Sequence, residues 1–190
     1  MFYFASAFNE SIDGWDVSRV TKMENMFYVA TNFNLSIDSW DVSQVTTMQY
    51  MFVSATSFNQ CLSTWAEKTP DDVGTTSMLS SSGCPKQTRP GPTVGPWCQT
   101  SEQDCFAPTS SPTANPTGVC DCTGGNPVIE VSGEEFQNLI ASCINDEVSC
   151  PGPIRCWNTS KVTNMDSAFL NQGTFNDPLE CWDVSQVTSM

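Results

Sequence analysis

Trp15-Asp16-Val17-Ser18-Arg19-Val20-Thr21-Lys22-Met23-Glu24-Asn25-Met26-Phe27-Tyr28-Val29-Ala30-Thr31-Asn32-Phe33-Asn34-Leu35-Ser36-Ile37 is followed from Trp40 by a second version of itself, and its latter half also opens the chain at Met1. Trp15, Trp40 and Trp65 are 25 residues apart, as are Trp157 and Trp182. A fixed period of this length means that each unit is one supersecondary element that buries its apolar face only by stacking on its neighbours. Two periodicities share the unit. Trp15 and Val17 alternate with Asp16 and Ser18, as in a short strand with one buried face. From Val20 the apolar positions move to Met23, Met26, Phe27 and Ala30, the spacing of one helical stripe, with Ser18 or Thr21 placed to cap its start. The expected fold is an α/β repeat: strand, turn, helix and return, stacked as a solenoid with the strands in a parallel ribbon.

The pattern divides the chain into three parts. Residues 1–84 form a first array that opens in mid-unit and closes in a frayed cap at 66–84, where Pro70, Asp71 and Asp72 interrupt the repeat. Residues 85–127 hold eight of the twelve prolines and a Ser/Thr/Pro run at 107–117, the composition of an extended, O-glycosylated linker. A second array occupies 128–190. It opens with a cap over 128–155, in which Val128 to Val131 read as a strand, Ser132 and Glu135 as a capping box, and Phe136, Leu139, Ile140 and Cys143 as a helical stripe. The repeat resumes at Trp157 and stops in mid-unit at Met190, so both ends of the chain read as cuts through a longer array.

The chain carries 21 acidic and 7 basic residues, a net charge of −14, which argues against nucleic acid because phosphate binding requires basic side chains. Ten cysteines without a single histidine do not make a zinc site; beside the Ser/Thr/Pro linker they read as disulfides of an extracellular or cell-surface protein. Cys61 and Cys84 flank the last unit of the first array and are expected to bridge it, while Cys143, Cys150 and Cys156 are expected to tie down the second cap. Cys156 and Cys181 precede successive tryptophans. They are expected on adjacent strands, either reduced or joined by a strained bond. No apolar run is long enough to span a bilayer.

The signature Trp-Asp-Val-Ser-x-Val-Thr-x-Met followed by Met-Phe, Ala and Phe-Asn, over 1–83 and about 128–190, resembles the DUF285 or BspA-like leucine-rich repeat of surface proteins. Its acidic, Cys-rich form with a Pro-Thr-Ser spacer is similar to versions from microbial eukaryotes such as diatoms. The resemblance implies a leucine-rich-repeat-like solenoid displayed at a surface, engaged in adhesion or protein contacts and without catalytic activity.

Asp16, Asp41 and Asp183 share one position with Asn158, and Ser18, Ser43, Ser185 and Ser160 follow two residues later. On the strand face these eight side chains are the candidate binding row for a protein or glycan partner. The carboxylates read first as turn acceptors and secondly as a weak calcium-binding edge, since the EF-hand pattern is absent. Asn9, Asn34, Asn59 and Asn176 read as a ladder satisfying backbone groups, although Asn9 and Asn34 stand in glycosylation sequons; Asn158, in Asn-Thr-Ser, is the better glycan candidate. The methionine and tryptophan series read as core rows rather than copper or sugar sites. Without histidine there is no Ser-His or Cys-His pair, and no glycine-rich phosphate loop occurs, so neither catalysis nor a cofactor or metal centre is expected. The expected function is adhesion or protein/glycan interaction by a secreted or surface protein. The competing one is a structural cell-wall or matrix component whose acidic faces bind calcium or mineral.

Overall fold

The computed structural model describes residues 1–91, 94–101, 105, 122, 125–145 and 150–190. The 107–117 run and Cys120 lie outside the described residues. A solenoid of strand-turn-helix units is not what forms. Among the described residues there are two α-helices, α1 (Trp65–Lys68) and α2 (Glu134–Asn145), one short 3-10 turn (Ile154–Cys156), and isolated bridges in place of a sheet.

The expected repeat helix fails at two left-handed residues per unit. Asn25 and Val29 have φ of 56°, Tyr50 and Ser54 of 59° and 58°, Ser167 and Asn171 of 57° and 60°. A backbone that turns left-handed every fourth residue cannot propagate i→i−4 bonds. It makes consecutive β-turns: Met26, Tyr28 and Ala30 donate their N–H to the carbonyls of Met23, Asn25 and Phe27. The intervening N–H groups of Met23, Asn25, Phe27 and Val29 donate instead to Thr47, Gln49, Met51 and Val53. Apolar residues three or four apart therefore mark successive turns, all pointing their side chains inward.

The expected strand fails for a local reason as well. Asp16 Oδ1 accepts from Ser18 N–H at 3.1 Å, so that donor closes an Asx-turn instead of pairing with a neighbour. Val20 N–H then returns to Val17 at 2.9 Å. Parallel pairing shrinks to single bridges such as Lys22 with Thr47 and Thr47 with Gly74. Trp15 and Val17 stay buried and Asp16 exposed, so the alternation belongs to burial alone.

Each 25-residue unit is thus a rung of turns, and the rungs stack in register. The order of the stack differs from the order of the sequence. Residues 182–190 and 1–14 together make one rung, placed between 157–181 and 15–39. Thr21 N–H donates to Thr188, Met190 N–H to Lys22, Phe169 N–H to Met1, Asn171 N–H to Tyr3 and Ala7 N–H to Gly173, all at 2.9–3.0 Å. The direction of donation alternates around a rung. Along the Met-Phe turns N–H groups point to the following rung, whereas Thr46 N–H points back to Thr21 and Ser57 N–H back to Thr31.

Columns of identical residues fill the interior. Phe169, Phe2, Phe27 and Phe52 stack at 5.2–5.5 Å between centroids, and Phe175, Phe8, Phe33 and Phe58 at 5.9–6.4 Å. Trp157 stacks on Trp182 at 6.3 Å and Trp40 on Trp65 at 6.4 Å. Each repeat indole also donates backwards: Trp182 to Ile154, Trp15 to Leu179, Trp40 to Ile12 and Trp65 to Ile37, at 2.9–3.2 Å. A second polar column runs through asparagine, where Asn9, Asn34 and Asn59 donate their backbone N–H to Oδ1 of Asn176, Asn9 and Asn34 at 2.7–2.9 Å. Such bonds contribute about 1 kcal/mol each when made and cost more when one partner is left behind.

Both ends of the stack are covered by residues from the middle of the chain. At one end α2 lays Phe136 against Trp157 and Trp182, at 6.1 and 5.6 Å. Ser132 does not form the expected capping box; its Oγ accepts from Thr163 and Asn164 N–H, and Gly133 (φ +59°) turns the chain into the helix. At the other end Trp97 packs edge-on against Trp65 at 6.4 Å, and Gln99 Nε2 reaches Asn59 Oδ1 at 2.9 Å, closing the asparagine column. Disulfides hold these covers. The expected Cys61–Cys84 bridge is replaced by Cys61–Cys105 and Cys84–Cys98, because the segment after the first array folds back over its last rung. Cys156 bonds Cys122 rather than Cys181, which is itself disulfide-bonded, and Cys143 bonds Cys150.

Candidate functional site: a row of Asx-turns

The stack brings the eight candidate binding residues into one row, in the rung order Asn158, Asp183, Asp16, Asp41. Each is the acceptor of the same turn: Ser160, Ser185, Ser18 and Ser43 donate their N–H at 3.0–3.1 Å. Ser18 adds its hydroxyl to Asp16 Oδ1 at 2.6 Å. The asparagine rung shows what the position requires locally, a side-chain oxygen but not a charge. The three aspartates are exposed, and Asn158 and the four serines are half-buried.

Hydrogen bonds from Ser18 hold the Asp16 carboxyl below the ordinary carboxylate range, and those from Ser43 do the same for Asp41. Both are partly opposed by burial, and Asp16 also by the neighbouring charge of Asp41. Asp16 and Asp41 are therefore ionised at neutral pH. One oxygen of each carboxylate faces the turn, which leaves acceptor capacity on an exposed face.

A second row beside it escaped attention in the sequence. Thr163, Thr188, Thr21 and Thr46 follow the Asx-turns, and the hydroxyls of Thr188, Thr21 and Thr46 donate to the preceding threonine carbonyl at 3.0–3.2 Å. Their recurrence every 25 residues was the available signal; the apolar stripe beside them masked it. Across this face Arg19 donates to Gln186 Oε1 at 2.8 Å, and Lys161 pairs with Glu130 at 2.6 Å at the covered end. The face is thus polar and repetitive, with side chains fixed by bonds to turns and neighbouring rungs.

The glycan candidate Asn158 uses Oδ1 in its own turn, at the margin of the row. Glu10 lies apart, near Asn176, Glu180 and Asp177, where burial and the two acids raise its carboxyl above the ordinary value. Among the described residues no group of three or more His, Cys, Asp or Glu is arranged to hold a metal ion, and no helix is long and apolar enough to cross a membrane. A cleft of about 400 Å3 opens where residues 190 and 1 meet, lined by Tyr3, Lys22, Glu24, Asp166 and Ser189 among others. By register it lies where the neighbouring rungs carry Glu24-Asn25 and Asp166-Ser167, two residues that the split rung lacks.

No curated protein and no solved structure matches the chain. Residues 1–87 and 137–190 match the model of a family described as Mycoplasma protein of unknown function, DUF285. The matched residues contain the rungs that build the row, and the chain belongs to the DUF285 family.

Proposed function

We propose that this chain is a non-catalytic secreted or cell-surface interaction protein whose Asx-turn row engages a protein or glycan partner. The observation that carries this reading is the alignment of Asn158, Asp183, Asp16 and Asp41 on one exposed, rigid face. Disulfide bonding fits an oxidising, extracellular compartment, and the likeness to BspA-like surface repeats points the same way. Repetition supplies multivalency: four equivalent turns engage a repeating ligand with more avidity than any one of them.

The second reading, a matrix component with acidic faces, draws support from the same carboxylates, since Asp16 and Asp41 stay ionised in mild acid. A triple variant Asp16→Asn, Asp41→Asn, Asp183→Asn separates the two. Asparagine retains the turn acceptor, as Asn158 does, so the melting temperature should stay within about 2 °C. Saturable binding of the labelled protein to a glycan array or to cells, reduced at least tenfold in the variant and insensitive to chelator, supports interaction. Calcium-driven self-association abolished in the variant, without saturable binding, supports the matrix role instead.

A further inference from the structure

All three tyrosines of the chain stand on one stretch of its outer surface. Tyr3 and Tyr28 occupy the same position of successive rungs and stack at 4.7 Å between centroids, with 7° between their planes. Phe4 leans against both, at 4.9 Å from Tyr3 and 5.7 Å from Tyr28. Tyr50 stands one rung further on, beside the turn in which Tyr28 N–H donates to Asn25, since Asn25 N–H donates in turn to Gln49. Phe4 and Tyr50 are each 41% exposed, and Tyr3 and Tyr28 are half-buried. Every tryptophan and every other described phenylalanine is buried, so the outer aromatics are concentrated here. Stability does not account for them. Phe4, Val29 and Tyr50 hold left-handed backbone, with φ of 56–59°, at turn positions that other rungs fill with serine or asparagine, as at Asn25, Ser54 and Asn171. Bulky residues strain such backbone more than asparagine or serine do, and their gathering on one exposed face points to a use. The phenol hydroxyls are also uncommitted. None of the three bonds a described residue, and among the described residues no buried side-chain oxygen lacks a partner, so all three open to solvent.

We propose that Tyr3, Phe4, Tyr28 and Tyr50 form a binding face for an uncharged oligosaccharide, separate from the Asx-turn row. The rings offer apolar surface to the C–H face of a sugar ring, and the free phenol hydroxyls exchange hydrogen bonds with its hydroxyl groups. Size favours such a ligand over a folded protein. At 150–250 Å2 for each whole aromatic side chain, the exposed parts of these four amount to about 300 Å2, against about 800 Å2 per partner in a stable protein–protein interface. Charge favours a neutral saccharide. None of the four is Lys or Arg, which an acidic glycan would need, and a chain of net charge −14 repels one. The face crosses three rungs, about 10 Å at the usual spacing of paired backbones, so it engages several sugar rings at once.

Because every tyrosine lies on this face, isotopic labelling of tyrosine alone lets NMR read it in the native chain. The probes are two neutral hexasaccharides with flat C–H faces, cellohexaose and its N-acetylglucosamine counterpart. At least one should shift the tyrosine ring signals saturably, with a dissociation constant of about 0.1–1 mM. Signals that neither probe moves, or calorimetric binding that leaves them unmoved, would overturn the proposal. The double variant Phe4→Asn, Tyr50→Asn puts at both left-handed sites a residue that other rungs already place there, so it should stay folded and lose affinity at least tenfold. A folded double variant that binds as the native chain does would also overturn it; should the variant not fold, the native tyrosine signals decide. The triple variant Asp16→Asn, Asp41→Asn, Asp183→Asn should bind the hexasaccharide unchanged, which keeps this face distinct from the Asx-turn row. Tyrosine shifts with a neutral polyproline peptide and with neither sugar would assign the face to a peptide partner and refute the saccharide.

Discussion

Left-handed backbone at fixed places decides the conformation of every rung, yet the residues that occupy those places differ in how well they suit it. Asn25, Ser54, Ser77, Ser81, Ser167 and Asn171 are small or polar, whereas Phe4, Val29 and Tyr50 are bulky. A non-glycine residue in this region costs about 1–2 kcal/mol, and asparagine tolerates it best. Tyr50 is 41% exposed, so little burial offsets the strain. Tyr50→Asn is expected to stabilise the fold by roughly 1 kcal/mol, a rise of about 3 °C in the thermal midpoint; an unchanged or lowered midpoint would mean that the tyrosine ring contributes more than its strain. The Asx-turns give a pH dependence of defined sign. Asp16 and Asp41 titrate below their ordinary value in the folded chain. Their stabilisation is complete above the unfolded carboxylate pKa of about 4 and is lost as pH falls through the lower folded value. Thermal melts from pH 5 to about 2 should therefore fall more steeply for the native chain than for Asp16→Asn.

Among the elements, the columns were the most legible part of the sequence and the turns the least. Trp, Phe and Asn recur every 25 residues, and recurrence at a fixed period specifies which side chains meet whatever the backbone does between them. The indole of Trp40 is fully buried and stacked on Trp65, with its N–H on Ile12 at 3.0 Å. Trp40→Ala should cost about 3–5 kcal/mol, measured as a drop in the denaturation midpoint, since it opens a cavity and leaves the Ile12 carbonyl with the Trp15 N–H alone. Spacings of three and four were ambiguous: a helix and a series of four-residue turns place the same residues inward, and only the left-handed sites distinguish them. Where those sites carry Val29 or Tyr50, composition gives no warning. Helix α2 was visible because it is an ordinary amphipathic helix, with Phe136, Ile140 and Cys143 on one buried face. The Asx-turn row was visible as a register but read as a strand, because alternation in burial does not reveal whether Ser18 N–H bonds a neighbour or Asp16.

At the scale of the whole molecule, the order of the rungs was not legible in the repeat, because every rung carries the same columns. Caps drawn from 66–101 and 128–156 close the two ends, and the chain termini meet in the middle. A permuted chain that begins between Cys105 and Cys122 and joins Met190 to Met1 through Glu-Asn should follow the stack in a single pass. The two inserted residues occupy the cleft at the split rung, with asparagine at the left-handed site as Asn25 is. Such a chain should melt higher than the native order; a lower midpoint would show that the split rung does not have the geometry of the other rungs. The alternating direction of the bonds between rungs bears on how long such a stack can grow. In an α-helix every peptide points the same way, and the ends accumulate roughly half a charge each. Here the N–H groups of Met23, Asn25, Phe27 and Val29 point towards one end of the stack, and those of Thr21, Asn34 and the Trp40 indole point towards the other. The peptide dipoles of the two sides oppose one another, so adding rungs lengthens the stack without building an axial field, and neither capping segment has to neutralise one.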